Sequence, residues 1–416
     1  MQGKYLVEFG MLLVNIKIIN DMKKTALLLF LVAFSNLLFG QNEKDIIIGK
    51  RFTITSEILN SDREISICLP DSYNDNNYTK YPVIYILDGK KYFHSFSGVI
   101  TQLSSDVSPQ IPEMIVVGIT SQDRVRDSSP THSLIGYSGQ KEKGYEVSGG
   151  ADDFLKFIKE ELIPFIEKNY RTNSYRTFVG NSFKGLPVVH ALFSIPETFN
   201  SYIVIDFSAW WDNEIMTKRL EDFSVTYKGE KRDIFFATVD RVSNTVFPEK
   251  YNSGWEFIQE FEQNHPKNVG FSYKKYPYKV ENHHSMPLIS LIDGIKYIFR
   301  DHMVNFDTML TDPTLIKTQF FKLSERLGYP IYLPEERINF YGYLFLYNKP
   351  DIKKALFYFE YNTEIYPLSA NVWSSLAEGY EVKGDKNKAI KFYKKSLELD
   401  PGNKQVLEIL NKIIEN

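Results

Sequence analysis

The chain has 416 residues, 43% of them apolar and 24% charged, which excludes wholesale disorder and sets a prior of two or three domains. Lys and Arg total 49 against 52 Asp and Glu, so the net charge is −3 and no basic excess exists to neutralise nucleic-acid phosphates. The single cysteine, Cys68, excludes an internal disulfide and a zinc site built on cysteines. In the alternating run Ile65-Ser66-Ile67-Cys68-Leu69 it reads as a small buried hydrophobe.

Residues 22–40, MKKTALLLFLVAFSNLLFG, carry two lysines, then an apolar stretch, then small residues before Gln41. That is the layout of a secretory signal peptide, with translation expected to begin at Met22 and cleavage near Gly40. The apolar run is short for a membrane span of about 20 residues. The other reading is an uncleaved N-terminal anchor. No cysteine follows the run, so lipid attachment there has no acceptor. The expectation is an exported protein, periplasmic or extracellular, with residues 1–40 set apart from the fold.

The next stretch alternates strands and helices. Residues 63–69 alternate apolar and polar side chains, and residues 81–87 and 111–119 are nearly continuous apolar runs, which suit parallel strands covered on both faces. Residues 152–168 place Phe154, Leu155, Phe157, Ile158, Leu162, Phe165 and Ile166 at helical spacing, with Asp152 and Asp153 where the helix dipole favours them. Strands follow at 176–179, 201–206, 233–239 and 271–277, with helices through 188–193, 255–264 and 288–299. Over residues 41–305 this alternation predicts an α/β sheet with helices on both faces.

The turn after strand 176–179 reads Gly180-Asn181-Ser182-Phe183-Lys184-Gly185. An α/β-hydrolase carries its nucleophilic serine on such a strand-to-helix turn, where small residues two before and two after relieve backbone crowding. Gly180 fits; Lys184 stands where glycine is wanted. Downstream, Glu281-Asn282-His283-His284-Ser285 lies in a loop before the last helix of the sheet domain. A serine hydroxyl is a weak nucleophile unless a base takes its proton, so His283 is the candidate base, with His284 as its rival. Asp240 ends strand 233–239 and serves either to orient the imidazole or to cap a turn; Glu249 and Glu256 are the reserves.

These blocks together resemble the putative-esterase family of α/β-hydrolases, which includes esterase D-type and enterobactin-esterase-like members. The resemblance spans roughly residues 45–300 and rests on Leu69–Tyr73 with Tyr81–Gly89, Ile111–Ile119 with Asp123–Asp127, Glu161–Pro164, Tyr170–Thr172, the Ser182 turn, Trp210–Asn213 and Glu281–Ser285, in the family's order. It implies an α/β-hydrolase sheet that cleaves carboxylic esters through an acyl-enzyme on Ser182, with His283 as base and no metal or cofactor. It further implies an oxyanion hole from the backbone N–H of Phe183 and one from the Asp88-Gly89-Lys90 loop. The family's usual turn is Gly-His-Ser-Phe-Gly-Gly, so Asn181 and Lys184 depart from it, and Pro187 demands that the following helix begin late or kink. Trp210 and Trp211 either line the substrate pocket or pack as core, and Arg124 and Arg126 either meet an acidic substrate or form surface ion pairs.

Residues 306–416 read as an all-α domain. Trp373, Leu376, Tyr380, Ala389, Tyr393 and Pro401 match the 34-residue tetratricopeptide spacing over 370–403, and a shift of one repeat aligns Ala355, Phe359 and Pro367 as a degenerate first copy with Asn339 at the Trp position. Residues 314–327 are expected to form a connecting helix. Two repeats fall below the usual stable minimum of at least three, so they are expected to lean on the hydrolase domain. The module is then a protein- or peptide-binding groove, or an appendage that buttresses the enzyme or mediates self-association. For the whole chain two functions stand: an exported serine esterase acting on a small-molecule ester (siderophore, acylated sugar or small acyl ester), or a catalytically inactive hydrolase scaffold that binds a ligand or partner.

Overall fold

The computed structural model describes residues 24–25, 45–105, 109–240, 252–277 and 279–415. Apart from Lys24 and Thr25, the expected signal segment lies outside the described residues, as does Glu249. Residues from Ile48 to the C-terminus form one compact unit, separate from Met1–Ile47.

Eight strands make one sheet: β1 (Lys50–Ser56), β2 (Ser61–Cys68), β3 (Tyr81–Leu87), β4 (Ile115–Ile119), β5 (Thr172–Asn181), β6 (Ser201–Ile205), β7 (Arg232–Asp240) and β8 (Val269–Pro277). Their spatial order is β1-β2-β4-β3-β5-β6-β7-β8. The pairs β1–β2 and β2–β4 are antiparallel, and every later pairing is parallel. The apolar runs are strands because both faces are covered. Ile84, Ile86, Val179, Ile203 and Phe235 face one cluster of buried side chains, and Tyr85, Leu87, Phe178, Val204 and Phe236 face the other.

The crossover helices in this half are α1 (Gly89–Ser104), α2 (Arg124–Ser128), α3, α4 (Gly185–Ser194), α5 (Trp211–Thr226), α6 (Ser253–Asn264) and α7 (Met286–Ile298). Helix α3 starts as Ala151–Phe157, passes through a π turn at Ile158–Leu162 and ends as Ile163–Asn169. Pro164 explains the π turn, because its ring has no N–H and clashes with the carbonyl four residues back. The run at 111–119 is a strand only from Ile115. Strand β1, with Phe52 and Ile54 alternating, helix α1, which buries Tyr92, Phe96 and Ile100 at helical spacing, and helices α2 and α5 lie outside the elements predicted from the sequence.

Seven helices follow: α8 (Phe306–Thr311), α9 (Thr314–Leu327), α10 (Glu335–Tyr343, extended by a π turn at Leu344–Asn348), α11 (Ile352–Ile365), α12 (Ala370–Lys383), α13 (Lys386–Leu399) and α14 (Lys404–Glu415). The expected connector is α9, and the two helical repeats are α10–α11 and α12–α13. A Cβ on Gly342 would sit 2.3 Å from the Phe359 ring, so that glycine sets the α10–α11 approach. At the Trp position of the first repeat, Asn339 donates to Ser375 Oγ at 3.0 Å instead of inserting an indole. The buried cluster on one sheet face continues without a break through Met309, Phe320, Tyr358 and Leu376. The repeats therefore lean on the sheet domain through a shared core.

Candidate active site

Strand β5 delivers Ser182 at its C-terminal end. The chain turns there through a single 3₁₀ turn, Ser182–Lys184, before α4 begins at Gly185. Ser182 has φ +58°, a left-handed conformation that costs a non-glycine residue about 1–2 kcal/mol and lifts its hydroxyl off the strand end. Gly180 is obligatory below it, since a Cβ would lie 2.1 Å from the Lys184 carbonyl oxygen. Because α4 starts only at Gly185, Pro187 falls in its first turn, where the missing N–H has no intrahelical acceptor to lose.

The loop after β8 brings His283 to this turn, with Ser182 Oγ 3.1 Å from His283 Nε2. The other ring nitrogen, Nδ1, is 2.5 Å from Asp206 Oδ2. An Nδ1–H donated to that carboxylate leaves the Nε2 lone pair facing the serine hydroxyl. Asp206 follows β6, has φ +42°, and its side chain is 3% exposed. Thr238 Oγ1 donates to its second oxygen at 3.1 Å, and its own N–H bonds the Ala237 carbonyl at 2.7 Å. The Ser208 N–H bonds the Ser182 carbonyl at 3.2 Å, tying the acid's loop to the serine's turn.

This corrects the expected acid. Asp240 caps the neighbouring strand, its side chain 42% exposed and paired with Lys275 Nζ at 3.3 Å. Strand β7 runs past the imidazole, so its end carries Asp240 beyond the turn, whereas β6 stops short and leaves Asp206 facing the ring. Glu256 lies exposed in α6. The signal for Asp206 was present in the sequence: an aspartate closing the apolar strand 201–206 beside the serine's own strand. His284 uses its backbone N–H on Asn282 Oδ1 at 2.9 Å, and its ring packs edge-on against His283 at 5.3 Å.

The expected oxyanion donors lie on adjacent strand ends. Ile86 of β3 pairs with Val179 of β5, so the turn after β3 adjoins the turn after β5. Phe183 follows the serine, and Gly89 and Lys90 open α1, where first-turn N–H groups have no intrahelical acceptor. A Cβ on Gly89 would lie 2.8 Å from the Gly118 carbonyl carbon, which is why glycine stands there. Asn181 Nδ2 donates to Tyr92 Oη at 2.8 Å and locks α1 to the serine turn.

Phe183 is also the hub of an aromatic wall: its ring lies 5.1 Å from Trp211, 6.3 Å from Trp210 and 6.3 Å from Tyr145. Trp211 is fully buried, its Nε1 donating to Thr131, so it backs the wall as core and does not line a pocket. Trp210 is half-buried and meets Tyr137 edge-on at 5.4 Å. Tyr137 and Tyr145 come from the loop after α2, which no sequence pattern singled out. Arg124 pairs with Asp88 at 3.3 Å, and its guanidinium sits 5.9 Å over the Phe183 ring. Arg126 pairs with buried Asp127, which Arg63 also holds.

Lys184, where the family has glycine, is fully buried, with Nζ bonded to Ser121 Oγ and 4.9 Å over the Phe154 ring. Burial pulls its pKa down to about 8, against the opposing attraction of Asp127 and Asp88. Its stem thus fills space behind the turn without unseating the serine. Among the described residues no group of three or more His, Cys, Asp or Glu side chains could hold a metal ion.

Comparison with known proteins finds similarity over both the sheet domain and the helical repeats. Residues 56–245 match the family described as "Putative esterase", and residues 370–403 match a tetratricopeptide repeat. The ferri-bacillibactin esterase BesA of Bacillus subtilis is 29% identical over 162 residues, 36% of this chain and 56% of that protein. The siderophore enterobactin esterase of Emericella nidulans is 44% identical over 71 residues, 16% of this chain and 23% of that protein. The chain thus spans about half or less of the length of these relatives. A solved IroE-like serine hydrolase from Shewanella oneidensis superposes with a TM-score of 0.68 at 29% identity, covering 76% of this chain and 99% of that one.

Proposed function

We infer from an esterase-family α/β domain joined to a tetratricopeptide repeat that this chain is a serine hydrolase cleaving carboxylic esters through an acyl-enzyme. The observation that carries the reading is the relay Ser182 Oγ, His283 Nε2, His283 Nδ1, Asp206 Oδ2, with links of 3.1 and 2.5 Å. His283 takes the serine proton as Oγ bonds to the ester carbonyl carbon. The carbonyl π electrons move onto oxygen, where the N–H of Phe183 and one from Gly89 or Lys90 receive the charge. Collapse expels the alkoxide, which takes the proton from His283 and leaves the acyl group on Ser182. A water then repeats the sequence, with His283 again as base, and releases the acid. Asp206 holds the ring in the productive tautomer and stabilises the imidazolium.

The relatives are named for siderophore esters. A siderophore-type ester is the first substrate class to test here, and the aromatic wall of Phe183, Trp210 and Tyr137 suits a planar acyl ring stacked beside the serine. We propose export on the strength of residues 22–40; among the described residues no helix is long and apolar enough to cross a membrane. The decisive test uses a fluorophosphonate probe and a short-chain p-nitrophenyl ester. Labelling and turnover are expected for the wild type and absent in Ser182→Ala and His283→Ala, with His284→Ala close to wild type. A well-folded wild type that neither labels nor turns over would leave the inactive-scaffold reading standing.

A further inference from the structure

The N-terminal edge of the sheet, opposite Ser182, carries a second feature that ester hydrolysis does not use. A cavity of about 160 Å³ lies where the starts of β7 and β8 meet the end of α7 and the last turn of α9. Its lining includes Lys231, Arg232, Lys267, Arg300 and Arg326, with Asp233 as the lining carboxylate. Asp233 is already spent: Arg300 Nη2 donates to one of its oxygens at 3.1 Å and Arg326 Nη1 to the other at 3.0 Å. A Cβ on Gly270 would come within 2.2 Å of Asp233 Oδ1, so glycine keeps room for this arrangement. Arg232 reaches a second carboxylate, Glu230, at 3.4 Å, but that side chain is 85% exposed.

Five cations thus line the cavity, the arginines ion-paired with Asp233 and the exposed Glu230, while the charges of Glu197 and Asp301 act on Arg232 and Arg326 from further off. Lys231 and Lys267 have no ion pair among the described residues, and the buried Arg326 Nε has no hydrogen-bond partner there. Like charges gathered beside a concave, partly dry wall repel one another unless an anion enters between them. Burial, and then the charge of Arg300, pulls the Arg326 guanidinium below its ordinary pKa.

We propose that this cavity binds a compact multivalent oxyanion of the phosphate type, free or as a monoester, between the sheet domain and the helical extension. The ion would gather guanidinium and ammonium donors from β7, the β8 approach, α7 and α9, and so clamp the two halves together. The test is calorimetric titration of the full chain with inorganic phosphate, and separately with glycerol 3-phosphate, at constant ionic strength. One saturable site is expected, together with a phosphate-dependent rise in melting temperature. Lys231→Ala/Lys267→Ala should lose about tenfold or more in affinity while melting like the wild type without phosphate, because both lysines are exposed. Binding of the monoester alone would assign the site to an esterified phosphate. No saturable heat with either ligand, or equal affinity in the double variant, would overturn the proposal. Neither result touches the esterase reading, which is read out at Ser182.

Discussion

At the scale of single residues, the acid of the relay is the point on which chain order misleads. Asp240 and Asp206 both close parallel strands, and both lie between Ser182 and His283 in the chain. Only the lengths of β6 and β7 decide which carboxylate meets the ring. Replacing Asp206 with Asn should leave the fold intact and cut kcat by about four orders of magnitude, because the amide favours the wrong imidazole tautomer. Asp240→Asn should change kcat less than about twofold, as the ion pair it makes with Lys275 leaves its own carboxylate 42% exposed. Equal losses in the two variants would refute the assignment. Lys184 makes a related point. Its length lets the stem run to Ser121, so that of Lys184 only the backbone carbonyl, beside the Val188 side chain, comes against Gly180.

At the scale of elements, the serine turn is a strand end, a 3₁₀ turn and a late-starting helix that hold one strained residue. Gly180→Ala puts a methyl group within 2.1 Å of the Lys184 carbonyl, so it should displace Ser182 and abolish ester turnover, with a stability loss of about 1–3 kcal/mol. Pro187→Ala should alter stability by no more than about 1 kcal/mol and leave activity intact, since that position sits in the first turn of α4. Denaturant melts and p-nitrophenyl ester kinetics on the two variants distinguish these outcomes. The late helix start accommodates Pro187: the 3₁₀ turn takes up Ser182, Phe183 and Lys184 before α4 begins.

At the scale of the whole molecule, the sheet domain and the helical extension share one buried apolar cluster. A chain ending at residue 305 would strip Ile295, Ile298 and Phe299 of partners on α8 and α9. Such a truncation is expected to aggregate or to bind a hydrophobic dye, whereas two independent domains would give a soluble, active fragment. His302 reports on the same junction. It is fully buried, its Nδ1 is 3.2 Å from the Pro109 carbonyl, and its ring meets Phe320 of α9 edge-on. Burial pulls its pKa down to about 4 from an ordinary 6.5. In that interval the unfolded chain binds the proton and the folded chain does not, so stability is full above about pH 6.5 and drains away as pH falls toward 4. His302→Gln should flatten this part of the pH–stability curve, as melting temperatures between pH 4 and 7 would show. What the sequence determined by itself was whatever depends on local period and order: the strand–helix alternation, the Ser182 turn, the histidine loop and the 34-residue repeat. Tertiary structure alone decided which aspartate reaches the ring, where Lys184 hides its charge, that Trp211 is core, and which basic residues surround the cavity beside Asp233. Those depend on strand lengths and on which elements pack side by side, and neither is written in the spacing of residues along the chain.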